Sequence, residues 1–228
     1  MGGFANNAPI VTDGLVFYVD AGNNKSYPGS GTTWTDLIGG VDGSLVNTPT
    51  YSSSNGGLVI TDGNDDVINF DSFASSFPVS EGTVCVSVKL TNLNGDADLI
   101  ASLRYNSSNN IEIYQYVGTI RFKYKAGGTT KEISISTSSF STSLFYMLTL
   151  TFSSSGDKIE AYVNGVSQGS ATSLGTWSGT PADWGFGANT STTSNNQAMQ
   201  LSSSRVYNRA LSATEITQNY NALKNRFE

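Results

Sequence analysis

Short runs in which apolar and polar residues alternate, each closed by glycine, asparagine or a Ser/Thr cluster, recur from Leu15 to Tyr207 and point to a layered β structure. The clearest are Leu15 to Asp20, Leu58 to Ile60, Val67 to Phe70, Thr83 to Thr91, Leu99 to Leu103 and Ile111 to Tyr116. Ile120 to Lys125, Glu132 to Ser136, Tyr146 to Phe152, Ile159 to Val163 and Leu201 to Tyr207 follow. Many short half-buried strands separated by turns predict an all-β, two-sheet antiparallel sandwich. Asn164-Gly165, between two such runs, is a two-residue hairpin signal, because both turn positions need positive φ. Val117-Gly118 and Gly127-Gly128 read as further turns. One segment departs from the pattern. Ser212 followed three residues later by Glu215 is a capping box, with Leu211 and Ile216 as its hydrophobic staple. Ile216, Tyr220, Leu223 and Phe227 then recur at helical spacing, which predicts one short C-terminal helix over 213–227.

The 228 residues suffice for one sandwich with a sizeable core, and neither a linker nor a fixed-period repeat divides them. Charged residues make up only 13%, so the surface is polar through Ser, Thr, Asn and Gly. A net charge of −6 argues against nucleic acid as a partner, which needs clustered Lys and Arg. The nearest approach to a basic patch, Arg121, Lys123 and Lys125, reads as one solvated strand face. No apolar run approaches the length of a membrane helix, and no membrane partner is expected. Cys85, the only cysteine, excludes an intrachain disulfide and falls on the strand face opposite Val84, Val86 and Val88. There is no histidine, which removes Ser-His-Asp and Cys-His relays and the H-E-x-x-H zinc site.

The run Arg205-Val206-Tyr207-Asn208-Arg209-Ala210-Leu211-Ser212 and the helix after it resemble the C-terminal signature of laminin-G-like, concanavalin A-like lectin/glucanase modules. Gly14 to Asn23 looks like the first strand of that family, and Trp34 to Leu37 with Gly43 to Asn47 like its W-x-D-L…G-x-L-x-N segment. Asp62 to Val67 resembles its D-G-x-x-D-x-V turn, and Tyr162 to Val166 its Y-V-N-G-V hairpin. The resemblance implies a jelly-roll-like sandwich over 13–228. Residues 1–12, rich in Gly, Asn and Ala, are then expected as an N-terminal arm outside it. The module is similar to standalone structural proteins of tailed bacteriophages. That likeness implies a non-enzymatic virion protein, either a capsid decoration or cement protein or a head or tail fibre tip, with a lectin-like outward face. Expected partners are other virion proteins and host-surface glycans, in a homo-oligomer assembled in the host cytoplasm. A free carbohydrate-binding module is the alternative, and an unrecognised glycoside hydrolase the second.

No catalytic residue is expected. Retaining glucanases of this fold use acids at E-x-D-x-E spacing on one strand, whereas Glu112, Glu132 and Glu160 each lack an acid two residues on. Many laminin-G-like modules hold Ca²⁺, and Asp20, Asp62 and Asp65 are the expected ligands; the other reading has these carboxylates bracing tight turns. For carbohydrate binding the candidates are Trp177, on a Gly/Ser/Thr-rich loop, with Tyr105, Tyr114 and Tyr116, because sugar C–H faces stack on aromatic rings. Trp34 and Trp184 read as core.

Overall fold

The computed structural model describes residues 8–192 and 194–227. In chain order its strands are β1 (Leu15–Asp20), β2 (Thr33–Thr35), β3 (Asp42–Val46), β4 (Thr50–Ser52), β5 (Leu58–Asp62), β6 (Val67–Asn69), β7 (Glu81–Leu90) and β8 (Asp96–Asn106). They continue with β9 (Asn109–Tyr116), β10 (Thr119–Ala126), β11 (Thr129–Ser136), β12 (Tyr146–Ser153), β13 (Lys158–Val163), β14 (Val166–Thr172), β15 (Asp183–Phe186) and β16 (Ala198–Tyr207). The helices are α1 (Asp71–Ala74), a single turn, and α2 (Ala213–Leu223).

The strands form two antiparallel sheets. The first has the order β14-β13-β12-β7-β16-β5-β4, with β1 taking over from β5 along the second half of β16. The second runs β11-β10-β9-β8-β15-β6-β3-β2. Inward side chains of both meet in one core, where Phe17 lies edge-on to Phe70 (5.0 Å) and Trp184 packs on Phe186 and Phe77 (5.0 Å each). Trp34 and Trp184 are fully buried there, as expected. The structure adds β2, β3 and β4, which are too short to show a period, and the turn α1.

Helix α2 covers the outer face of the first sheet. Its start is the predicted capping box: Ser212 N–H donates to Glu215 Oε2 (2.9 Å) and Glu215 N–H to Ser212 Oγ (3.4 Å). The α-helix ends at Leu223, short of the predicted 227, and passes into a 3₁₀ turn over Lys224–Arg226. Arg226 enforces this early end. It donates to the carbonyls of Asn55, Gly56 and Gly57 and pairs with Asp20 (2.7 Å), while Phe227 turns to stack on Phe145 at 4.4 Å. Between α2 and the sheet, Val11, Cys85, Met147, Tyr162, Tyr207, Leu211 and Ile216 form a second apolar cluster. Val11 brings the described end of the 1–12 segment into this layer: its N–H donates to Asn219 Oδ1 (2.8 Å) and its carbonyl accepts from the Tyr207 hydroxyl (3.0 Å). Residues 1–7 of that segment lie outside the described residues.

Candidate functional site

The meander β8–β11 presents an outer face in which every second residue is polar. On β9, Glu112, Tyr114 and Tyr116 alternate with the core residues Ile111, Ile113 and Gln115; on β10, Arg121 and Lys123 alternate with Ile120, Phe122 and Tyr124. Two-residue turns lock the register, so Lys123 stands opposite Glu112 on one side and Glu132 on the other. Lys123 Nζ pairs with Glu112, whose Oε1 lies 3.7 Å from Arg104 Nε. Glu132 accepts from Arg121 Nη1 (3.0 Å) and from the Tyr114 hydroxyl (2.5 Å). Burial and then that bond to Glu132 push the Tyr114 phenol well above its ordinary range, so it remains a neutral donor. The Arg121 guanidinium lies over the Tyr116 ring at 4.4 Å, and Lys123 Nζ is 5.1 Å from the Tyr114 centroid.

Arg104, Glu112, Tyr114, Tyr116, Arg121 and Lys123 line a trough of about 380 Å³, completed by Ala97, Leu99 and Asn195, and Glu132 holds Tyr114 and Arg121 from beside it. Of the charged lining residues Glu112 is buried, so its ion pairs with Lys123 and Arg104 are shielded from water. Fixed donors, acceptors and tyrosine rings alternate here within a few ångströms, and this arrangement can hold a polyhydroxylated molecule.

Of the aromatic candidates, the structure brings Tyr114 and Tyr116 together and leaves the other two elsewhere. Tyr105 is exposed, with its ring against Gly179. Trp177 is half-buried at the rim of the core, 6.2 Å from Tyr124, and its Nε1–H donates to the Gly179 carbonyl (3.0 Å). It therefore packs the loop instead of standing clear of it. The Arg121–Lys123 face, expected to be merely solvated, is ion-paired and half-buried. Sequence reasoning passed over Arg104 and Asn195.

The three expected Ca²⁺ ligands do not converge. The carboxylate of Asp20 accepts from Gly22 N–H (2.8 Å) and the Tyr18 hydroxyl (2.9 Å) and pairs with Arg226. Ala21 and Gly22 lie against Gly57, at the start of β5, whereas Asp62 ends that strand. Four residues of strand put Asp62 roughly 13 Å further on. Asp62 caps the turn through Asn64 N–H (2.7 Å), which with Asn64's amide lowers its carboxyl pKa, and Asp65 sits at φ 62 with its carbonyl bonded to Asn47. Among the described residues no group of three acidic, His or Cys side chains could hold a metal ion. These carboxylates do not fit Ca²⁺; they fit the turns.

A family model described as the concanavalin A-like lectin/glucanases superfamily matches residues 62–217. No curated protein matches the chain. Among solved structures, the sialidase of Trypanosoma rangeli in complex with sialic acid superposes with a TM-score of 0.67 at 16% identity, over 95% of this chain and 34% of that one. The binding domain of Paraclostridial Mosquitocidal Protein 1 gives 0.70 at 16% identity over 92% and 52%, and the botulinum neurotoxin type G receptor binding domain 0.66 at 14% over 91% and 51%. The chain thus spans a third to a half of the length of these proteins. At such identities the likeness is one of fold.

Proposed function

This chain belongs to the concanavalin A-like lectin/glucanase superfamily, and from that membership we propose that it is a non-enzymatic glycan-binding module whose recognition surface is the trough on the outer face of the second sheet. The observation that carries the reading is the Glu112–Lys123–Glu132 row beside Tyr114, Tyr116 and Arg121, with a trough of about 380 Å³ along it. Sugar hydroxyls both donate and accept, so each ion pair offers them an acceptor and a donor at fixed spacing. The tyrosines supply apolar surface for ring C–H faces. The names of two structural neighbours, a binding domain and a receptor binding domain, lean the same way. Against catalysis, Lys123 occupies the place between Glu112 and Glu132 where a water or glycosidic oxygen would have to sit between acid and base.

The setting we infer is a bacteriophage virion, with other virion proteins as partners, a homo-oligomeric assembly and the 1–12 segment as attachment. Support for it is the resemblance of the C-terminal segment to phage modules; detection of the chain in purified particles tests it, and its consistent absence from them favours a free carbohydrate-binding module. The binding reading is tested on a glycan array followed by titration of any ligand found. Replacing Tyr116 or Arg121 by Ala should weaken binding by on the order of 1–2 kcal/mol without lowering the melting temperature, while Trp177→Phe leaves binding unchanged. Binding indifferent to Tyr116 and Arg121, or release of reducing ends that stops in Glu112→Gln, would overturn it.

A further inference from the structure

The trough is locally cationic in a protein of the opposite sign. Arg104, Arg121 and Lys123 line it, Glu112 is the one acidic residue among its described lining, and Lys125 follows on the same face of β10. The chain as a whole has 12 basic and 18 acidic residues. Ion pairs take up two of the cations: Lys123 Nζ is matched by Glu112 and Arg121 Nη1 by Glu132 (3.0 Å). Arg104 is left over. Its Nε lies 3.7 Å from Glu112 Oε1, beyond hydrogen-bond reach, and its guanidinium donates no hydrogen bond among the described residues. Asp183 stands opposite it on β15 by register, yet the two form no ion pair. The Arg104 side chain is only 29% exposed, so its idle donors are partly withdrawn from water.

A planar fork with idle donors, half-sheltered in the wall of a cationic trough, matches a planar carboxylate in geometry as well as in sign. The position of the fork indicates what carries that carboxylate. Arg104 reaches toward Glu112, and Tyr114 stands two residues further along β9, roughly 7 Å away, so one sugar ring spans from the tyrosine to the arginine. We propose that the trough selects glycans containing a uronic acid, with the acid's carboxylate on Arg104 and its ring hydroxyls on the Glu112–Lys123 pair. This rests on the reading of the trough as a glycan site and narrows it: a neutral sugar leaves Arg104 without an anion, whereas a uronate supplies one. The net charge of −6 disfavours an acidic polymer elsewhere on the surface and so confines it to the trough.

Calorimetric titration of the full chain with oligosaccharides of galacturonate, mannuronate and glucuronate, each beside its carboxyl-reduced form, tests the proposal, because the members of a pair share their linkages and differ in the acid. At least one acidic member should bind about tenfold or more tightly than its reduced counterpart, and that margin should shrink as salt rises from about 0.05 M to about 0.5 M. Arg104→Met should bring the pair to within about threefold, with Arg104→Lys in between because it keeps the charge and loses the fork. Should Arg104→Met fail to fold, the wild-type ratio and its salt dependence decide. Reduced members that bind as tightly as acidic ones would overturn the selection and leave the trough a glycan site. A margin unmoved by Arg104→Met, or a sulfated galactan that outcompetes every uronate, would overturn it as well. No binding of any glycan at millimolar concentration would remove the site together with its selectivity.

Discussion

At the scale of single residues, Glu215 shows how a local signal and a distant partner combine. The capping box was readable because Ser212 and Glu215 are three residues apart. That the same carboxylate also takes Arg209, at 2.6 Å from Nη2 to Oε1, depends on how the chain turns between strand and helix. The Arg209 bond foremost, with the Ser212 donors, holds its carboxyl at about 2 against the opposing effect of burial. A carboxyl lowered on folding contributes stability above its unfolded pKa of about 4.3, and that contribution is lost as pH falls toward the folded value. Glu215→Gln keeps a side-chain acceptor for the cap but removes the charge. Wild type should therefore exceed this variant by about 0.5–1 kcal/mol at pH 7 and converge with it as pH falls from about 4.5 to about 2. Urea melts across that range check this, and a difference that does not shrink with acid would show that Arg209 is not the source.

At the scale of elements, hairpin turns do more than connect strands. Val117-Gly118 and Gly127-Gly128, both with positive φ at each position, set β9, β10 and β11 in register and so place Glu112, Lys123 and Glu132 in one row. These turns were legible in the sequence, and carrying their register outward would have found the row; attention to acids along a single strand missed it. At Asn164-Gly165 a second constraint appears. Gly165 has φ 81, and a Cβ there would lie 3.3 Å from Thr217 Cα and 3.4 Å from Tyr220 Cβ, so the turn is pressed against α2. Gly165→Ala should cost about 1–2 kcal/mol from the backbone alone, read as a lower denaturation midpoint with unchanged slope. The amino-terminal segment yields a sharper contrast. Relative to a chain that lacks residues 1–7, one that lacks 1–12 loses Val11 from the layer under α2 and leaves Asn219 Oδ1 and the Tyr207 hydroxyl with fewer partners, a loss of about 2–4 kcal/mol. Equal melting temperatures for the two truncations would mean that Val11 does not brace the helix.

For the whole molecule, what the sequence made plain was what repeats locally: alternation, tight turns, the helix cap and the burial of Trp34 and Trp184. What it hid was which ends of which strands meet. Asp20, Asp62 and Asp65 read as neighbours because they fall in segments with a family likeness, yet β5 separates the first from the others, and Arg226, 206 residues from Asp20 in the chain, takes the carboxylate a cation would need. Tyr105, near the end of β8, and Trp177, on the loop before β15, likewise gather around Gly179 and not with the tyrosines of the trough. The clasp at Asp20 ties the C-terminal turn to β1 and to the Gly56-Gly57 corner, so it ought to matter for global stability in a way that a metal would not. Arg226→Ala removes one ion pair and three bonds to carbonyls and leaves Asp20, only 8% exposed, without its counter-ion. The expected loss is about 2–4 kcal/mol. A chelator should leave the wild-type melting temperature unchanged, since a ligand that stabilises the native state would reveal itself on removal. A fall on chelation that is reversed by added Ca²⁺, with Arg226→Ala melting like wild type, would return Asp20 to the role of metal ligand and make the arginine dispensable.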